Sequence, residues 1–306
     1  MEFGKLPDIS KIDFSMPEDA SGTAETLQKY NKSEKFHFYI GCTGWSMKEW
    51  VGTYYPAGTK PEGFLRAYGK QFNTIELNTT HYRIPSPEQI QNWKKDTPAD
   101  FRFCPKIPQI LSHSRDLGIS NPLFLNFCEV TAQLEEKLGA CFLQLPPHFG
   151  LQQAGILERF VELWPKELPL NVEMRHESWF EGAADEREKA FGMLAKAGIG
   201  TVLTDVAGRR DVLHMQLTSA VAMIRFVGNA LHPSDYSRIN DWIPRLRGWH
   251  EAGLQEVYFF THEPDNLLAP ELAAYLHQSL LPFPEIVARG PEKITTDAAG
   301  QMSLFG

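Results

Sequence analysis

The chain alternates between short apolar runs and longer amphipathic stretches from about residue 36 onward. Eight of the apolar runs are eight to ten residues long and rich in β-branched and aromatic residues, which is typical of β-strands. The predicted strands are residues 36–44, 73–82, 100–108, 140–147, 168–176, 199–208, 220–228 and 255–263.

Helical patterns fill most of the gaps between these strands. The stretch after the second strand, "SPEQIQNWKKD", opens with a Ser cap and places Pro in the first turn. Only the segment after the sixth strand, "RRDVLHMQLTS", lacks a clear helix. Strands that alternate with helices pair in parallel through right-handed crossovers. The pattern therefore predicts a closed, eight-stranded (β/α)8 TIM barrel whose helix after strand six is reduced or missing.

A doubly wound open sheet is the alternative fold. It is disfavoured because "GCTGW", after the first strand, lacks the GxGxxG spacing of a dinucleotide-binding turn. Residues 1–34 are polar and contain Pro, Gly, Ser and Asp, so they are interpreted as an N-terminal extension, either weakly ordered or wrapped around the body. Residues 35–306 are assigned to a single barrel domain, because α/β barrels of about 250 residues are common.

Composition and net charge limit the cellular locations and the binding partners that we expect for this protein. The formal charge of −8 disfavours broad nucleic-acid binding, which depends on phosphate neutralisation. No apolar run approaches the roughly 18 residues of a membrane span, and the N-terminus lacks the apolar centre of a signal peptide. The four cysteines form no CxxC pair and are expected to be buried thiols in a reducing compartment. We therefore expect a cytoplasmic protein without a membrane partner.

The fifth predicted strand becomes charged as it ends, in "NVEMRHESWF". Side chains alternate along a strand, so Asn171, Glu173 and Arg175 share a face, which should point into the barrel. The other strands carry polar residues near the same end: Glu76, Asn78, Lys106, Gln144, Asp205, Arg225 and His262. Barrel enzymes keep their active sites at this carboxyl-terminal face, and buried charges need a partner or a ligand. A ligand pocket is therefore favoured.

Several alternatives remain open at this point. The acids Glu76, Glu173 and Asp205 could neutralise the bases Lys106, Arg175 and Arg225 in a purely structural ion-pair network. His176 fits a general acid or base and a helix cap equally well, and His262 is better explained as a core histidine with satisfied hydrogen bonds. The rim aromatics Trp45, Tyr82 and Trp179 fit packing with one accessible face, or stacking on a ligand.

Six sequence blocks resemble the YecE-like family, also called domain of unknown function 72. They are "IGCTGW", "FNTIELNTTHY", "FRFCPKIPQILSH", "CFLQLPPHF", "NVEMRHESW" and the closing "MSLFG". The resemblance implies a TIM barrel with a pocket at the positions occupied by Glu76, Asn78, Tyr82, Lys106, His113, Gln144, Glu173, Arg175, His176, Trp179 and Asp205. It implies no reaction, because the family has no established biochemical function. The chain departs from the family pattern at Val227, where a His is usual, and around His262, where an Asn-rich end is usual.

The side-chain inventory disfavours several chemistries. There is no GxSxG elbow, no Cys beside a base and no clustered His or Cys set for zinc. Mg²⁺ or Mn²⁺ on Glu76, Glu173 and Asp205 is an option, but no cofactor is required. Arg175, Arg225 and Lys106 suit phosphate or carboxylate.

We therefore expect an enzyme of the hydrolase or isomerase type that acts on a small polar, anionic or phosphorylated ligand. The catalytic candidates are Glu173, His176, Asp205 and Lys106. The ligand-binding candidates are Glu76, Asn78, Tyr82, His113, Gln144, Arg175, Trp179, Arg225 and Trp45. The alternative is a non-catalytic barrel that binds a ligand or, less favoured, nucleic acid.

Overall fold

The computed structural model describes residues 4–294, so the "MSLFG" block lies outside the described residues. The strands are β1 (Phe36–Gly41), β2 (Thr74–Leu77), β3 (Arg102–Pro105), β4 (Cys141–Gln144), β5 (Leu170–Glu173), β6 (Gly200–Asp205), β7 (Val221–Val227), β8 (Glu256–His262) and β9 (Ile286–Arg289). The α-helices are α1 (Ser21–Leu27), α2 (Phe64–Gln71), α3 (Thr79–Tyr82), α4 (Pro87–Asp96), α5 (Gln109–Ser112), α6 (Leu123–Ala132), α7 (Ala154–Leu163), α8 (Ser178–Glu181), α9 (Ala184–Lys196), α10 (Pro233–Ala252) and α11 (Ala269–Leu280).

All eight predicted strands are present, but each is shorter than its apolar run. The second strand ends at Leu77, and the following residues turn into the one-turn helix α3. The hydroxyl of Thr80 explains this change, because it donates to the carbonyls of Leu77 and Lys106, both at 2.7 Å. The strand ends thus fold into short turns that surround the carboxyl-terminal face. The predicted Ser cap of α4 is confirmed, since Ser86 Oγ accepts the N–H of Gln89 at 3.2 Å.

The expected closed eight-stranded barrel is not confirmed. Seven strands form one parallel sheet in the order β4-β5-β6-β7-β8-β1-β9, and β2 and β3 form a separate parallel pair. The pair meets β1 through the N–H of Glu76, which donates to the Cys42 carbonyl at 3.0 Å. It meets β4 through isolated bridges, including Lys106 with Phe142. The fold is therefore α/β with a large parallel sheet and two narrow seams, rather than one continuous ladder.

Strand β9, which the sequence pattern did not predict, accounts for the seam beside β1. It pairs with Phe36–Tyr39, so the first four of the six residues of β1 have β9 and not β2 as their neighbour. Farther along, β1 and β2 approach closely at Gly41, where a Cβ would lie 2.4 Å from the Thr74 carbonyl oxygen. Only glycine permits that approach.

The segment between β6 and β7 contains no α-helix in the described structure, as the sequence predicted, and only a 3₁₀ turn at Arg210–Val212. Helix α1 of the N-terminal extension packs here, in contact with α9 and α10. The hydroxyl of Thr23 donates to the Met215 carbonyl at 2.7 Å and accepts the Leu217 N–H at 2.9 Å. The extension therefore wraps around the body and fills the place of the missing helix.

The core consists of three apolar clusters. Two lie between the sheets and the surrounding helices. The third is built from side chains of β1, β3, β4, β6, β7 and β8, among them Tyr39, Phe142, Met223 and Tyr258, and joins the strand pair to the large sheet. It forms an apolar layer beneath the strand ends. Within residues 4–294, none of the helices has the length and apolarity to cross a membrane.

Candidate functional site

Arg225 on β7 is the centre of a buried charged cluster at the carboxyl-terminal ends of the strands. Its Nε and Nη2 donate to the two oxygens of Glu76 on β2, at 2.9 and 3.0 Å. Its Nη1 donates to both oxygens of Glu173 on β5, at 3.0 and 3.1 Å. The guanidinium therefore bridges the strand pair and the large sheet. Such bidentate, charge-assisted contacts are among the strongest hydrogen bonds in proteins.

Glu173 is surrounded by donors. Besides Arg225, its carboxylate accepts from Gln144 Nε2 at 2.6 Å, Thr204 Oγ1 at 3.1 Å and Arg175 Nε at 3.2 Å. Burial alone would raise the pKa of Glu173, but Arg175 and Arg225 outweigh it and lower the pKa to about 2. Glu173 is thus a fully engaged anion near neutral pH, which does not suit its predicted role as a general base.

Glu76 is an ionised anion of the same kind. Its carboxylate accepts from Asn78 Nδ2 and from His262 Nε2, each at 2.9 Å, in addition to Arg225. Burial opposes ionisation, yet Arg225 and His262 hold the pKa of Glu76 well below its ordinary value. His262 therefore has a satisfied hydrogen bond, as expected of a core histidine, but its partner is a carboxylate of the charged cluster.

Lys106, just beyond β3, is held less completely than the two carboxylates. Its ammonium donates to Gln144 Oε1 at 2.8 Å. Among the described residues, no carboxylate lies within ion-pair distance of this ammonium. The side chain is 8% exposed, and burial, followed by repulsion from Arg225, lowers its pKa to about 8. Beneath it, the Phe142 ring lies 5.9 Å from both Lys106 Nζ and Arg225 Cζ.

A groove beside Lys106 contains two histidines and Tyr82. His81 Nδ1 donates to the Ile107 carbonyl at 2.9 Å, and the His81 ring lies 5.4 Å from Tyr82 and 5.7 Å from His113. Burial and then Lys106 lower the pKa of His81 to about 4, and the same causes lower that of His113. Both rings are therefore uncharged near neutral pH. Tyr82 is 81% exposed.

Asp205 does not belong to the cluster, contrary to the sequence prediction. Its carboxylate accepts from Arg238 Nη1 at 2.9 Å, Arg210 Nη1 at 2.5 Å and Trp242 Nε1 at 2.9 Å. The reason is strand alternation, because Thr204 contacts Glu173 and its neighbour Asp205 must then face α10. Asp205 is a structural ion-pair residue between β6 and α10.

Three further predicted site residues have structural contacts. His176 Nδ1 accepts the N–H of Ser178, the first residue of α8, at 3.1 Å, although the N-cap residue of this helix is Glu177. Trp179 is fully buried and donates to the Phe149 carbonyl at 2.8 Å, so it has no accessible face for a ligand. Trp45 is partly buried and packs edge-on against Trp93, at 5.9 Å between ring centroids.

The three carboxylates considered for Mg²⁺ or Mn²⁺ do not converge. Glu76 and Glu173 both face Arg225, whereas Asp205 faces α10. In the described part of the chain, no group of three or more His, Cys, Asp or Glu residues is placed to hold a metal ion. The carboxylates are bound to cations of the protein itself, so this donor set fits a metal poorly.

The structure thus brings together Glu76, Asn78, Lys106, Gln144, Glu173, Arg175, Arg225 and His262, with Tyr82 and His113 in the adjoining groove. Sequence reasoning missed Thr204 and His81. Alternation from Val202, which lies in the interior cluster, would have placed Thr204 inward. His81 lies four residues after the end of β2, in "NTTHY", and its closeness to the strand end was the available signal.

Comparisons with known proteins identify the family. Residues 39–294 match the family model described as "Protein of unknown function DUF72". The UPF0759 protein YecE of Escherichia coli K12 is 32% identical over 269 residues, which cover 82% of this chain and 95% of that protein. The UPF0759 protein YunF of Bacillus subtilis is 29% identical over 171 residues, 54% of this chain and 59% of that protein.

A solved structure agrees with this assignment at the level of the fold. The crystal structure of a DUF72 family protein from Enterococcus faecalis V583 superimposes with a TM-score of 0.64 at 20% identity, covering 81% of this chain and 99% of the other. The match to the family model begins within β1, runs through β9 and includes every residue of the charged cluster. The chain therefore belongs to the DUF72 family, together with the YecE proteins.

Proposed function

We propose that the carboxyl-terminal mouth binds a small anionic, polar ligand, and that the protein is an enzyme of the hydrolase or isomerase type with Lys106 as its base. The observation that carries this proposal is the state of the Lys106 ammonium. An ammonium has three donors, and one of them is used in the contact with Gln144.

A second buried lysine shows what a purely structural ammonium looks like in this fold. Lys137 Nζ donates to the carbonyls of Lys94 and Thr97, both at 2.6 Å, and to Thr97 Oγ1 at 3.1 Å. Its three donors are satisfied at the end of α4, whereas Lys106 retains donor capacity at the mouth. That difference favours a ligand role for Lys106 over a structural one.

The charges of the cluster favour an anion. The cations Lys106, Arg175 and Arg225 face the anions Glu76 and Glu173, so one positive charge remains while Lys106 is protonated. Arg225 is occupied by both carboxylates and Arg175 is paired with Glu173, whereas Lys106 pairs with no carboxylate of the described residues, so Lys106 is the cation that an incoming phosphate or carboxylate would neutralise. A buried excess charge is stabilised when a counter-charge binds.

The reaction type follows from the pKa of Lys106. A pKa of about 8 leaves part of the lysine as the neutral amine near neutral pH. The neutral amine can accept a proton from a carbon next to a carbonyl, or from water, and the ammonium that forms then pairs with the anionic group of the ligand. These steps belong to isomerisation and hydrolysis. Glu173 and Glu76 then position Arg175 and Arg225 rather than exchange protons.

We propose that no cofactor is required, because the chain supplies both the cations and the base. A Mg²⁺ or Mn²⁺ ion, if the reaction uses one, would have to arrive with a phosphorylated ligand, since the carboxylates are engaged. We also propose that the two sheets act as a barrel in which residues 35–306 form one domain. Arg225 supports this, because it joins β2 of the pair to β5 of the large sheet.

We further propose a cytoplasmic location, which rests on the four cysteines. Cys42, Cys104, Cys128 and Cys141 are all buried free thiols. Unpaired thiols are usual for proteins of a reducing compartment. Nucleic acid remains the less favoured second candidate. The exposed Tyr82 supports it, and the net charge of −8 weighs against it.

The test is the binding of ribose 5-phosphate, a small polyhydroxylated phosphate, by titration calorimetry. We expect one site per chain, with affinity about tenfold or more lower in Lys106→Met and in Arg175→Met, because each loses a charge-assisted hydrogen bond. Lys95→Met, on the exposed face of α4, is the matched control and should bind like the parent. Absence of binding, or equal affinity in all four proteins, would overturn the proposed function.

A further inference from the structure

Building on the proposed function, we propose that the ligand also carries a planar aromatic ring, which stacks on Tyr82 in the groove beside the charged cluster. The ligand class is then an aromatic ring joined to a phosphate or carboxylate, as in a nucleoside monophosphate.

The groove has a volume of about 460 Å³ and lies between the one-turn helices α3 and α5. Its lining residues are His81, Tyr82, Gln109, Ile110, His113 and Ser114. Tyr82 is 81% exposed and Ile110 is 59% exposed, so two large side chains of the groove present apolar surface to solvent next to each other. Exposed aromatic surface at the rim of a pocket suits stacking on another ring.

The wall that carries Tyr82 is firmly anchored. Thr80 donates to the carbonyls of Leu77 and Lys106, and His81 donates to that of Ile107. Tyr82 is braced by the edge of the His81 ring, at an interplanar angle of 76°. A platform that is already ordered loses little conformational entropy when a ring binds to it.

His81 adds a polar recognition element to the groove. Its Nδ1 must carry the proton, because the partner is a carbonyl oxygen. The ring is neutral at physiological pH, so its Nε2 is a hydrogen-bond acceptor. An acceptor at the edge of a stacking platform matches the N–H groups of a heteroaromatic ring.

The groove lies beside Lys106. Ile107, which holds His81, directly follows Lys106. Burial first, and then the charges of Lys106 and Arg175, lower the pKa values of His81 and His113, which is consistent with this proximity. A ligand whose ring lies on Tyr82 can therefore direct its anionic group to Lys106 and Arg175.

The test compares adenosine 5′-monophosphate with ribose 5-phosphate, which lacks the ring, by titration calorimetry of the full chain. We expect the nucleotide to bind about tenfold or more tightly, because stacking on one aromatic side chain is worth this much. Tyr82→Ala should abolish the advantage without changing the affinity for ribose 5-phosphate, and Tyr82→Phe should retain it. Tyr30→Ala is the matched control, since Tyr30 lies beside Gly253 at the far end of α10.

The outcomes separate the two proposals. Equal affinity for both compounds, or a nucleotide advantage that survives Tyr82→Ala, would overturn the ring site alone, provided that Lys106→Met still weakens phosphate binding. Failure of both compounds to bind would overturn the proposed function as well.

Discussion

At the scale of single residues, the cluster depends on how completely each charge is paired. Glu173 accepts five hydrogen bonds from four side chains, and Arg225 is shared between two carboxylates. Lys106 has one such contact. A buried charge with full pairing is structural, whereas a buried charge with spare donors can serve a ligand.

Replacing Glu173 with Gln should destabilise the fold by about 3–5 kcal/mol, because Arg175 and Arg225 would keep their charges without this counter-ion. The measurement is the free energy of unfolding in urea. Glu158→Gln, an exposed change on α7, is the control and should alter stability by about 0.5 kcal/mol or less. A Glu173→Gln protein as stable as the parent would show that the cluster is not held by this carboxylate.

Much of the cluster could be predicted from the sequence, because strand alternation places Glu173 and Arg175 on one face whatever the surrounding fold. On β6 the inward residue is Thr204, so the expectation that Asp205 faces inward is wrong. The degree of pairing could not be predicted, since it depends on distances between strands far apart in sequence. The burial of Trp179 could not be predicted either, because it depends on the contact of Trp179 with Phe149.

At the scale of elements, β6 and α10 are joined by Asp205, Arg238 and Trp242 on the side of the sheet away from the cluster.

The bounds of the strands were predicted only approximately. The polar ends of these strands fold into α3, α5 and α8 because their side chains contact neighbouring strands. Such contacts cannot be predicted from the local sequence pattern. Strand β9 was missed, because its side chains are only partly buried and its apolar pattern is weak.

Asp205→Asn should therefore separate stability from ligand binding. We expect a loss of about 3 kcal/mol in unfolding free energy, since Arg238 loses a buried counter-ion. Affinity of the folded protein for ribose 5-phosphate should not change, because Asp205 faces α10. The comparison is with Lys106→Met, which should lose binding but keep its stability. A tenfold loss of affinity in Asp205→Asn would contradict the assignment of Asp205 to the scaffold.

At the scale of the whole molecule, the N-terminal extension completes the layer of helices around the strands. The charged cluster lies at the carboxyl-terminal strand ends, above the apolar layer of the interior. Alternating strands and helices predicted the α/β class and the missing helix after strand six. The continuous barrel was not confirmed, because β9 occupies the edge of β1 that the pattern assigned to β2. β2 and β9 are far apart in the sequence, so the local sequence pattern does not indicate which of them pairs with β1.

The stability of the molecule should depend on pH through Glu263, which follows β8. Its carboxylate is 4% exposed, and Oε1 has no hydrogen-bond partner among the described residues. Burial raises the pKa of Glu263 from an ordinary value of 4.5 to about 7. The folded protein therefore binds more protons than the unfolded chain between these values, and this contribution to stability is lost as the pH rises through about 7.

The check is the unfolding free energy of the parent and of Glu263→Gln between about pH 5 and pH 8. The parent should lose stability relative to the variant as the pH rises, since Gln does not titrate. Other titrating groups are common to both proteins and cancel in the difference. A difference that stays constant across this range, or changes in the opposite direction, would refute the assignment.

The most direct test of the central claim is the reactivity of the Lys106 amine. The rate of acetylation by acetic anhydride, measured residue by residue with mass spectrometry, should show a midpoint near the Lys106 pKa of about 8. Exposed lysines titrate near about 10.4. Phosphate should slow the modification of Lys106 and leave Lys137, whose donors are satisfied by Lys94 and Thr97, unchanged. A Lys106 midpoint equal to that of the exposed lysines, or a rate insensitive to phosphate, would contradict the account.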